Sequence, residues 1–259
     1  MKTKLKFVIL TLLGTGLAFS CSKNDHPTPE ASCKIIGSTS VKENNQPSIT
    51  QINYNTDGTL GSASFTHDYA SYTSEAIWSY EPNKIIHKWY NDDKMVNKKH
   101  IELNANGDPV NMTIDFYDNN GNVYHTNLIA FEYNEQRQLV KSILKSGNDP
   151  ETATNYTWAE GNLIEEAGEN STDTYEYHTN LTVQQGDYVG LTRMLNNGIQ
   201  TFTNKNLLKS WKRNSAGNEF IRTYDYQVDA DGKISKYTVK QTENNVTENR
   251  EVSLEYRCE

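Results

Sequence analysis

The chain has 259 residues and a formal net charge of −8. Such an acidic chain lacks the basic surface that binding to nucleic-acid phosphates requires, which excludes nucleic acid as a partner. Hydrophobic residues make up only 35% of the chain, a content that favours a sheet with one apolar and one wet face over a thick multilayer core.

The first twenty residues are typical of a bacterial lipoprotein signal peptide. Three lysines precede an apolar stretch over residues 7–18, and Ser20 places a small side chain directly before Cys21. The apolar stretch is too short to span a bilayer as an anchor. We therefore expect residues 1–20 to be removed and Cys21 to carry acyl chains.

The lipoprotein interpretation leaves an alternative open. Ala18 occupies the position three before Cys21, where a large aliphatic residue is usual, so ordinary cleavage after Ala18 would leave Cys21 as a plain thiol. With lipidation, the membrane is a partner through Cys21, and the protein is an outer-membrane lipoprotein of a Gram-negative bacterium, facing the periplasm or the cell surface. Residues 21–32, which include Pro27 and Pro29, are typical of a flexible tether.

The cysteine count predicts a disulfide. The chain has three cysteines, and lipidation of Cys21 leaves Cys33 and Cys258 as a pair at the two ends of the mature chain. An exported location permits their oxidation, and the bridge would bring the ends of the domain together at the seam of a closed or nearly closed sheet. The alternative is two unpaired thiols. No CxxC or HxxxH spacing is present, so we expect no metal and no cofactor.

Residues 33–259 follow the pattern of a single β-meander domain. Short stretches of alternating character, such as Met112, Ile114 and Phe116, are separated by turns rich in asparagine, aspartate and glycine. The pattern predicts an all-β, antiparallel up-and-down meander of about 10–14 strands, closed like a barrel or strongly curled. At most one short helix is expected, over residues 188–195.

Three hairpin units share an aromatic pair, a polar turn and an aliphatic-rich return: residues 52–60, 131–139 and 224–234. With residues 204–208 and the lipoprotein start, these units resemble secreted bacterial lipoproteins of unknown function that have a porin-like barrel fold with tyrosine-rich hairpin repeats. The resemblance covers about residues 45 to 258. It implies a barrel-like meander and no assigned activity.

The resemblance to a porin-like fold does not imply a barrel embedded in lipid. A membrane barrel needs an unbroken apolar band on its outer face. Polar and charged residues interrupt the alternation on both faces, as in residues 84–88. We therefore expect a sheet that stands in water.

Aromatic residues provide the single positive indication of ligand binding. The chain has 16 tyrosines and 4 tryptophans, many of them within strand-like stretches. Aromatic side chains on a wet sheet face can stack on sugar rings or pack against a protein, and Trp78, Trp89 and Trp211 are the candidate ligand-binding residues. The alternative is ordinary cross-strand pairing of aromatic residues.

Motifs for catalysis are weak. Ser142 and Lys145 match an SxxK spacing, but in a strand-like stretch and without the companion motifs. His67 and Asp68 are neighbours and would point to opposite faces of a strand. No catalytic residue is assigned, and the turn residues fail the spacing of a calcium-binding EF-hand. The basic cluster Lys98-Lys99-His100, after Asp92 and Asp93, is expected in a solvated turn.

The sequence thus favours a lipid-anchored, non-catalytic binding or interaction module of the cell envelope, with a glycan or a protein as ligand. Two other classes stay open. One is an envelope hydrolase whose site is assembled only by the fold, and the other is a structural envelope protein without a specific ligand.

Overall fold

The computed structural model describes residues 33–42, 46–67, 72–183, 186–198, 204–244 and 246–258. Within these ranges the chain forms sixteen strands and one helix. The strands are β1 Cys33–Lys42, β2 Ser48–Tyr54, β3 Leu60–Thr66, β4 Thr73–Glu81, β5 Lys84–Asn91, β6 Lys94–Leu103, β7 Pro109–Tyr117, β8 Val123–Tyr133, β9 Leu139–Ser146, β10 Thr152–Ala159, β11 Asn162–Ala167, β12 Ser171–Thr182, β13 Asn206–Ser215, β14 Asn218–Val228, β15 Ile234–Glu243 and β16 Val246–Cys258. The helix, α1, is Tyr188–Asn197, between β12 and β13. The predicted signal peptide, the tether and Cys21 lie outside the described residues.

Every strand pairs antiparallel with the next in sequence, and β1 also pairs with β16 to close a barrel. This confirms the predicted meander and the single short helix. The described strands number sixteen, more than the ten to fourteen expected. The difference arises where tight turns contain no glycine, as at Asp92 and Asp93 between β5 and β6, whose φ angles are 44° and 66°.

The longer hairpin turns share one hydrogen-bonding geometry. Asp118 Oδ1 accepts from the backbone N–H of Asn120 at 2.8 Å and of Asn122 at 2.9 Å, and Gly121 supplies the positive φ of 81°. Asn104 and Asp229 accept in the same way in their own turns. These side-chain oxygens stabilise backbone N–H groups of tight turns, which accounts for the asparagine and aspartate there without a calcium ion.

The two ends of the barrel are called end A and end B. End A is the end at which β1 begins with Cys33 and β16 finishes with Cys258, and end B is the opposite end, where β1 finishes at Lys42. At end A, Cys33 and Cys258 form a disulfide, as predicted. In the chain-entropy model, closing a loop of this length stabilises the fold by about 5 kcal/mol. Nine residue pairs of the β1–β16 ladder continue the seam to Lys42 and Arg250 at end B.

The apolar residues of the strands point into the barrel. In β4, Ser74, Ala76 and Trp78 are buried, whereas the intervening Glu75 and Ile77 are exposed. The same alternation places a large hydrophobic cluster inside the ring and a second, smaller one around Leu139 and Leu163. The largest fully buried hydrophobic side chains are Tyr224, Ile35, Ile85, Ile101, Leu139, Leu163, Leu207 and Ile234. The hydrophobic core therefore lies inside the barrel, and the outer face is largely polar.

Candidate functional site

Helix α1 has a capping group at each end. Asp187 Oδ1 accepts from the backbone N–H of Gly190 at 2.9 Å, which satisfies a free donor of the first turn. After the helix, Gly198 has a φ of 74° and donates to the carbonyl of Met194 at 2.7 Å. A Cβ on Gly198 would lie 2.6 Å from Cδ1 of Trp78. Both the left-handed backbone and the close indole require glycine there.

The helix crosses the interior of the barrel from one wall to the other. Near its start, Arg222 Nη1 of β14 donates to the hydroxyl of Tyr188 at 2.9 Å. Near its end, Lys99 Nζ of β6 donates to the carbonyl of Asn196 at 2.8 Å. Strands β6 and β14 are eight positions apart in the ring of sixteen. Because they stand on opposite sides, α1 spans the lumen and fills much of it.

An ion pair attaches the middle of α1 to a third wall. Arg193 Nη2 donates to Oε1 of Glu166 in β11 at 2.9 Å, and the Tyr175 hydroxyl donates to the same oxygen at 2.8 Å. Both charged side chains are about one-fifth exposed. Burial raises the pKa of Tyr175, and the nearby Glu166 carboxylate raises it further. Removing one partner of such an interior pair would leave the other charge uncompensated.

A cavity of about 340 Å³ lies between α1 and the wall formed by β14, β15, β16, β1 and β2. One face of the helix lines it, through residues spaced i, i+3, i+4 and i+7: Tyr188, Leu191, Thr192 and Leu195. The wall contributes polar side chains of three kinds, namely hydroxyls, amides and charged groups: Ser38, Ser40, Thr50, Gln241, Asn249, Lys42, Arg222, Glu248 and Arg250. Tyr237, Val239 and Val252 complete the apolar part. Its volume is at the lower end of small-molecule sites.

Four charged side chains belong to the part of the cavity lining that the structure describes. Lys42, Arg222 and Arg250 are positive, and Glu248 is negative. Lys42 Nζ lies 2.6 Å from Glu248 Oε1, so these two side chains form an ion pair at the edge of the cavity.

Arg222 is held in place by its neighbours. Its Nε donates to Gln241 Oε1 at 3.0 Å, and its guanidinium lies 5.1 Å from the centre of the Trp211 ring. Arg250 lies on the other side of β15 and donates from Nη1 to Ser40 Oγ at 3.3 Å. Both arginines are thus positioned by polar contacts on strands that flank β15.

The strand register separates the cavity into a charged and a less polar layer. At end B, Lys42 pairs with Arg250, and Glu248 pairs with Gln241. Two residues deeper, Val252 takes the place of Arg250 on the same face of β16. Glu248 is exposed, so the charged layer is open to solvent. A ligand entering from end B would meet the charged groups first.

The three candidate tryptophans all pack within the barrel rather than on its outer face. Trp78 is 3% exposed and stacks on His87, with ring centroids 5.2 Å apart. Trp89 is half-buried against Phe65 at 5.0 Å. Trp211 is half-buried on β13, on the other side of the ring. The structure does not bring the three together, and none of them lines the cavity. Their role in ligand binding stays a prediction.

The expectation of a solvated turn at Lys98-Lys99-His100 is wrong. The turn is at Asp92 and Asp93, and residues 98–100 lie within β6. Lys99 faces the lumen, where burial lowers its pKa to about 8. The prediction failed because it assigned three consecutive polar residues to one solvent-exposed surface. In a strand, successive side chains point to opposite faces of the sheet.

A buried histidine next to this lysine was not predicted from the sequence. His87 in β5 is 1% exposed, and neither ring nitrogen has a hydrogen-bond partner among the described residues. Burial, and secondarily the charge of Lys99, lower the pKa of His87 to about 3. The imidazole is therefore neutral at physiological pH. Nothing in the local sequence distinguishes it from the other five histidines of the chain.

The catalytic motifs considered from the sequence do not assemble. Ser142 and Lys145 are an odd number of positions apart in β9 and so point to opposite faces. Ser142 Oγ lies 3.0 Å from the Tyr156 hydroxyl. Asp68, the neighbour of His67, is outside the described residues. Among the residues that the structure describes, no group of three His, Cys, Asp or Glu side chains could hold a metal ion.

Sequence reasoning missed the arginines of the cavity. Lys42, Arg222 and Arg250 come from three strands that are far apart in sequence, and each looks like an ordinary cation in a polar stretch. Of the elements that line the cavity, α1 alone could have been predicted from the sequence, because the spacing of its apolar residues indicates that one helix face makes contacts. The convergence of the cations depends on barrel closure, because β1 and β16 meet only there.

Two solved structures show the same fold at low sequence identity. A porin-like protein from Bacteroides uniformis is 16% identical, with a TM-score of 0.58, over 90% of this chain and 98% of that one. A porin-like protein from Bacteroides vulgatus is 13% identical, with a TM-score of 0.58, over 86% of this chain and 98% of that one. No family model matches the sequence, and no curated protein matches it. The likeness establishes the barrel fold.

No helix in the described ranges is long and apolar enough to cross a membrane.

Proposed function

We propose that this protein is a lipid-anchored, non-catalytic binding protein of the bacterial cell envelope, whose barrel stands in water and holds a small glycan unit in the cavity beside α1. The cavity carries the proposal. It combines hydroxyl and amide side chains with the apolar faces of Tyr188 and Tyr237, a mixture that suits the polar edges and apolar faces of a sugar.

The cavity favours a small ligand over a protein surface. A stable protein–protein interface buries about 800 Å² on each partner. A space of about 340 Å³ within the barrel accommodates a group of the size of a sugar unit instead. The glycan alternative is thereby preferred to the protein alternative.

The polarity of the barrel supports a location in water. Side chains that would face lipid in a membrane barrel include Glu75 and Glu81 of β4 and Glu251 and Glu255 of β16, all exposed. Carboxylates on the outer face contradict the apolar band that a bilayer demands. The protein would thus use a porin-like fold with its apolar residues inside.

The envelope location rests on the first residues of the chain and on the fold. Cys21, preceded by the apolar stretch, supports a lipid anchor on an exported protein. The barrel neighbours are porin-like proteins from Bacteroides, which agrees with an envelope role. The Cys33–Cys258 disulfide suits an oxidising compartment.

A glycan array with the purified mature protein tests the ligand class. We expect binding to one or more glycans, and we expect Ser40→Phe to abolish it because the new ring would fill the cavity. Ser253→Phe, at an exposed position of β16, is the matched control and should bind like the wild type. Absence of any bound glycan, or binding unaffected by Ser40→Phe, would contradict the proposal.

A further inference from the structure

Three side chains of the cavity lining form one hydrogen-bonded group. Arg222 donates from Nε to Gln241 Oε1 at 3.0 Å and from Nη1 to the Tyr188 hydroxyl at 2.9 Å. All three residues line the cavity beside α1. We infer that this group selects a sugar with an acetamido substituent and binds the carbonyl oxygen of that substituent. This inference rests on the proposed function and names its ligand more closely.

Arg222 determines how its two partners present their hydrogen atoms. A guanidinium group donates hydrogen bonds and accepts none. The Gln241 amide therefore turns its oxygen to Arg222, and the Tyr188 hydroxyl accepts through its oxygen. The amide N–H groups of Gln241 and the O–H of Tyr188 remain as donors. Among the described residues, neither side chain donates to another protein atom.

The position of Arg222 is determined before any ligand binds. Its guanidinium lies 5.1 Å from the centre of the Trp211 ring and 4.9 Å from that of Phe220. Gln241 stands directly opposite Arg222 in the β14–β15 ladder, and Tyr188 is the first residue of α1. Donors that already have their bound orientation lose less conformational freedom when a ligand binds, which favours affinity.

Two oriented donors select a ligand with a matching acceptor. The carbonyl oxygen of an acetamide has two lone pairs and no hydrogen, so it can accept from both Gln241 and Tyr188. A ring hydroxyl can accept as well, but its own hydrogen then needs a further acceptor. A donor that loses its water without gaining an acceptor weakens binding. The acetamido carbonyl therefore fits these two donors better than a hydroxyl does.

The apolar part of the lining suits the methyl group of an acetamide. Leu191 of α1, Val239 of β15 and Val252 of β16 are buried and line the same cavity. Val239 lies two residues deeper than Gln241 on the same face of β15. The methyl and the carbonyl of an acetamide are attached to one carbon, so the ligand matches the closeness of polar and apolar groups in this wall. Burial of the methyl adds to affinity.

Two matched pairs of sugars test the substituent. N-acetylglucosamine is compared with glucose, and N-acetylgalactosamine with galactose. We expect calorimetry or ligand-observed NMR with the purified mature protein to show at least one acetamido sugar binding about tenfold or more tightly than its parent sugar. Glucuronate carries a carboxylate instead, and N-methylacetamide carries the amide without a sugar. Both should bind more weakly than that acetamido sugar.

A substitution of Gln241 tests the assigned donor. In Gln241→Glu the carboxylate keeps an acceptor for Arg222 Nε but has no N–H to donate. We expect the acetamido sugar to bind about tenfold or more weakly to this variant, and its parent sugar to bind nearly as to the wild type. Gln227→Glu, at an exposed position of β14, makes the same change of charge and should behave like the wild type. Circular dichroism and the melting temperature establish that both variants are folded.

The outcomes separate this inference from the proposed function. Equal binding of acetamido and parent sugars, blocked by Ser40→Phe, would overturn the acetamido inference and leave a glycan-binding cavity. Tighter binding of glucuronate, or no binding of either acetamido sugar, would also overturn it. Binding of N-methylacetamide as tight as that of the sugar would contradict the proposed function too. Equal losses in Gln227→Glu and Gln241→Glu would show an effect of charge instead of a lost donor.

Discussion

At the residue scale, burial determines the properties of the interior polar side chains. His87 and Lys99 lie next to each other inside the barrel, and burial disfavours the charged form of both. Lys99 retains a hydrogen bond to the end of α1, which stabilises its ammonium group. His87 has no such partner among the described residues and stays neutral, packed between Trp78 and Trp89.

His87 should make the protein sensitive to acid. In the unfolded chain the imidazole takes up a proton near pH 6.5, but in the folded protein it does so only near pH 3. Between these values the unfolded state binds more protons, so the free energy of unfolding falls as the pH is lowered. At pH 5 the loss from this residue is on the order of 2 kcal/mol.

Urea unfolding of the wild type and of His87→Phe at pH 7.5 and pH 5 measures this contribution. At pH 7.5 the imidazole is neutral in both states, so that comparison reports the packing of the new side chain alone. We expect the drop in unfolding free energy between the two pH values to be smaller in His87→Phe. An identical drop would show that His87 does not titrate as its burial requires.

At the element scale, helix α1 determines what the barrel can do. A closed barrel of sixteen strands leaves a lumen too wide for its own side chains to fill. The helix fills it from within and supplies one face of the cavity. Its docking to β14, β11 and β6 uses three separate polar contacts, so its position is determined at the start, middle and end.

The glycine after α1 tests that docking. Gly198→Ala should destabilise the protein by roughly 2–4 kcal/mol, because alanine is strained at a φ of 74° and its Cβ would meet the Trp78 indole. Gly232→Ala is the matched control: its φ is 83°, and no atom lies within 4 Å of the Cβ position. Its cost should be about 1–2 kcal/mol. Equal losses in urea unfolding would refute the close packing of α1 on β4.

At the scale of the whole molecule, the polarity of the barrel is the opposite of that of a membrane barrel. The hydrophobic core lies on the inner face, which also holds the polar groups that contact α1 and line the cavity, and the outer face carries carboxylates, lysines and hydroxyl groups. Some large hydrophobic side chains do reach the surface, as at Ile77 and Ile164. The fold is similar to that of porin-like proteins, but we propose that this barrel stands in water.

Replacing the proposed lipid-bearing residue tests this distinction. In a Gram-negative host we expect the wild-type protein in the membrane fraction and Cys21→Ser in the soluble fraction, without detergent. Intact mass should show acyl chains on the wild type alone. A barrel embedded in lipid would keep Cys21→Ser in the membrane fraction. A soluble wild type of unacylated mass would instead support ordinary cleavage after Ala18.

The residue pattern was enough to predict an antiparallel meander in which each strand is joined to the next by a turn. Alternating side chains and turn residues are local properties, so a meander follows from them, and the odd cysteine count indicated the bridge between Cys33 and Cys258. The helix at residues 188–195 could also be predicted, because the spacing of its apolar residues is a property of neighbouring positions. The strand count fell short where turns lack glycine, as at Asp92 and Asp93.

The choice of the inward face of the sheet, and the side chains that meet inside the barrel, depend on long-range contacts. Alternation divides each strand into two faces, but closure of β1 on β16 turns one face inward for all of them. The same closure brings Lys42, Arg222 and Arg250 to one cavity, from positions up to about 200 residues apart in the chain. It also put Lys99 in the lumen and Trp78 beneath α1, because their contacts are long-range and leave no trace in the neighbouring residues.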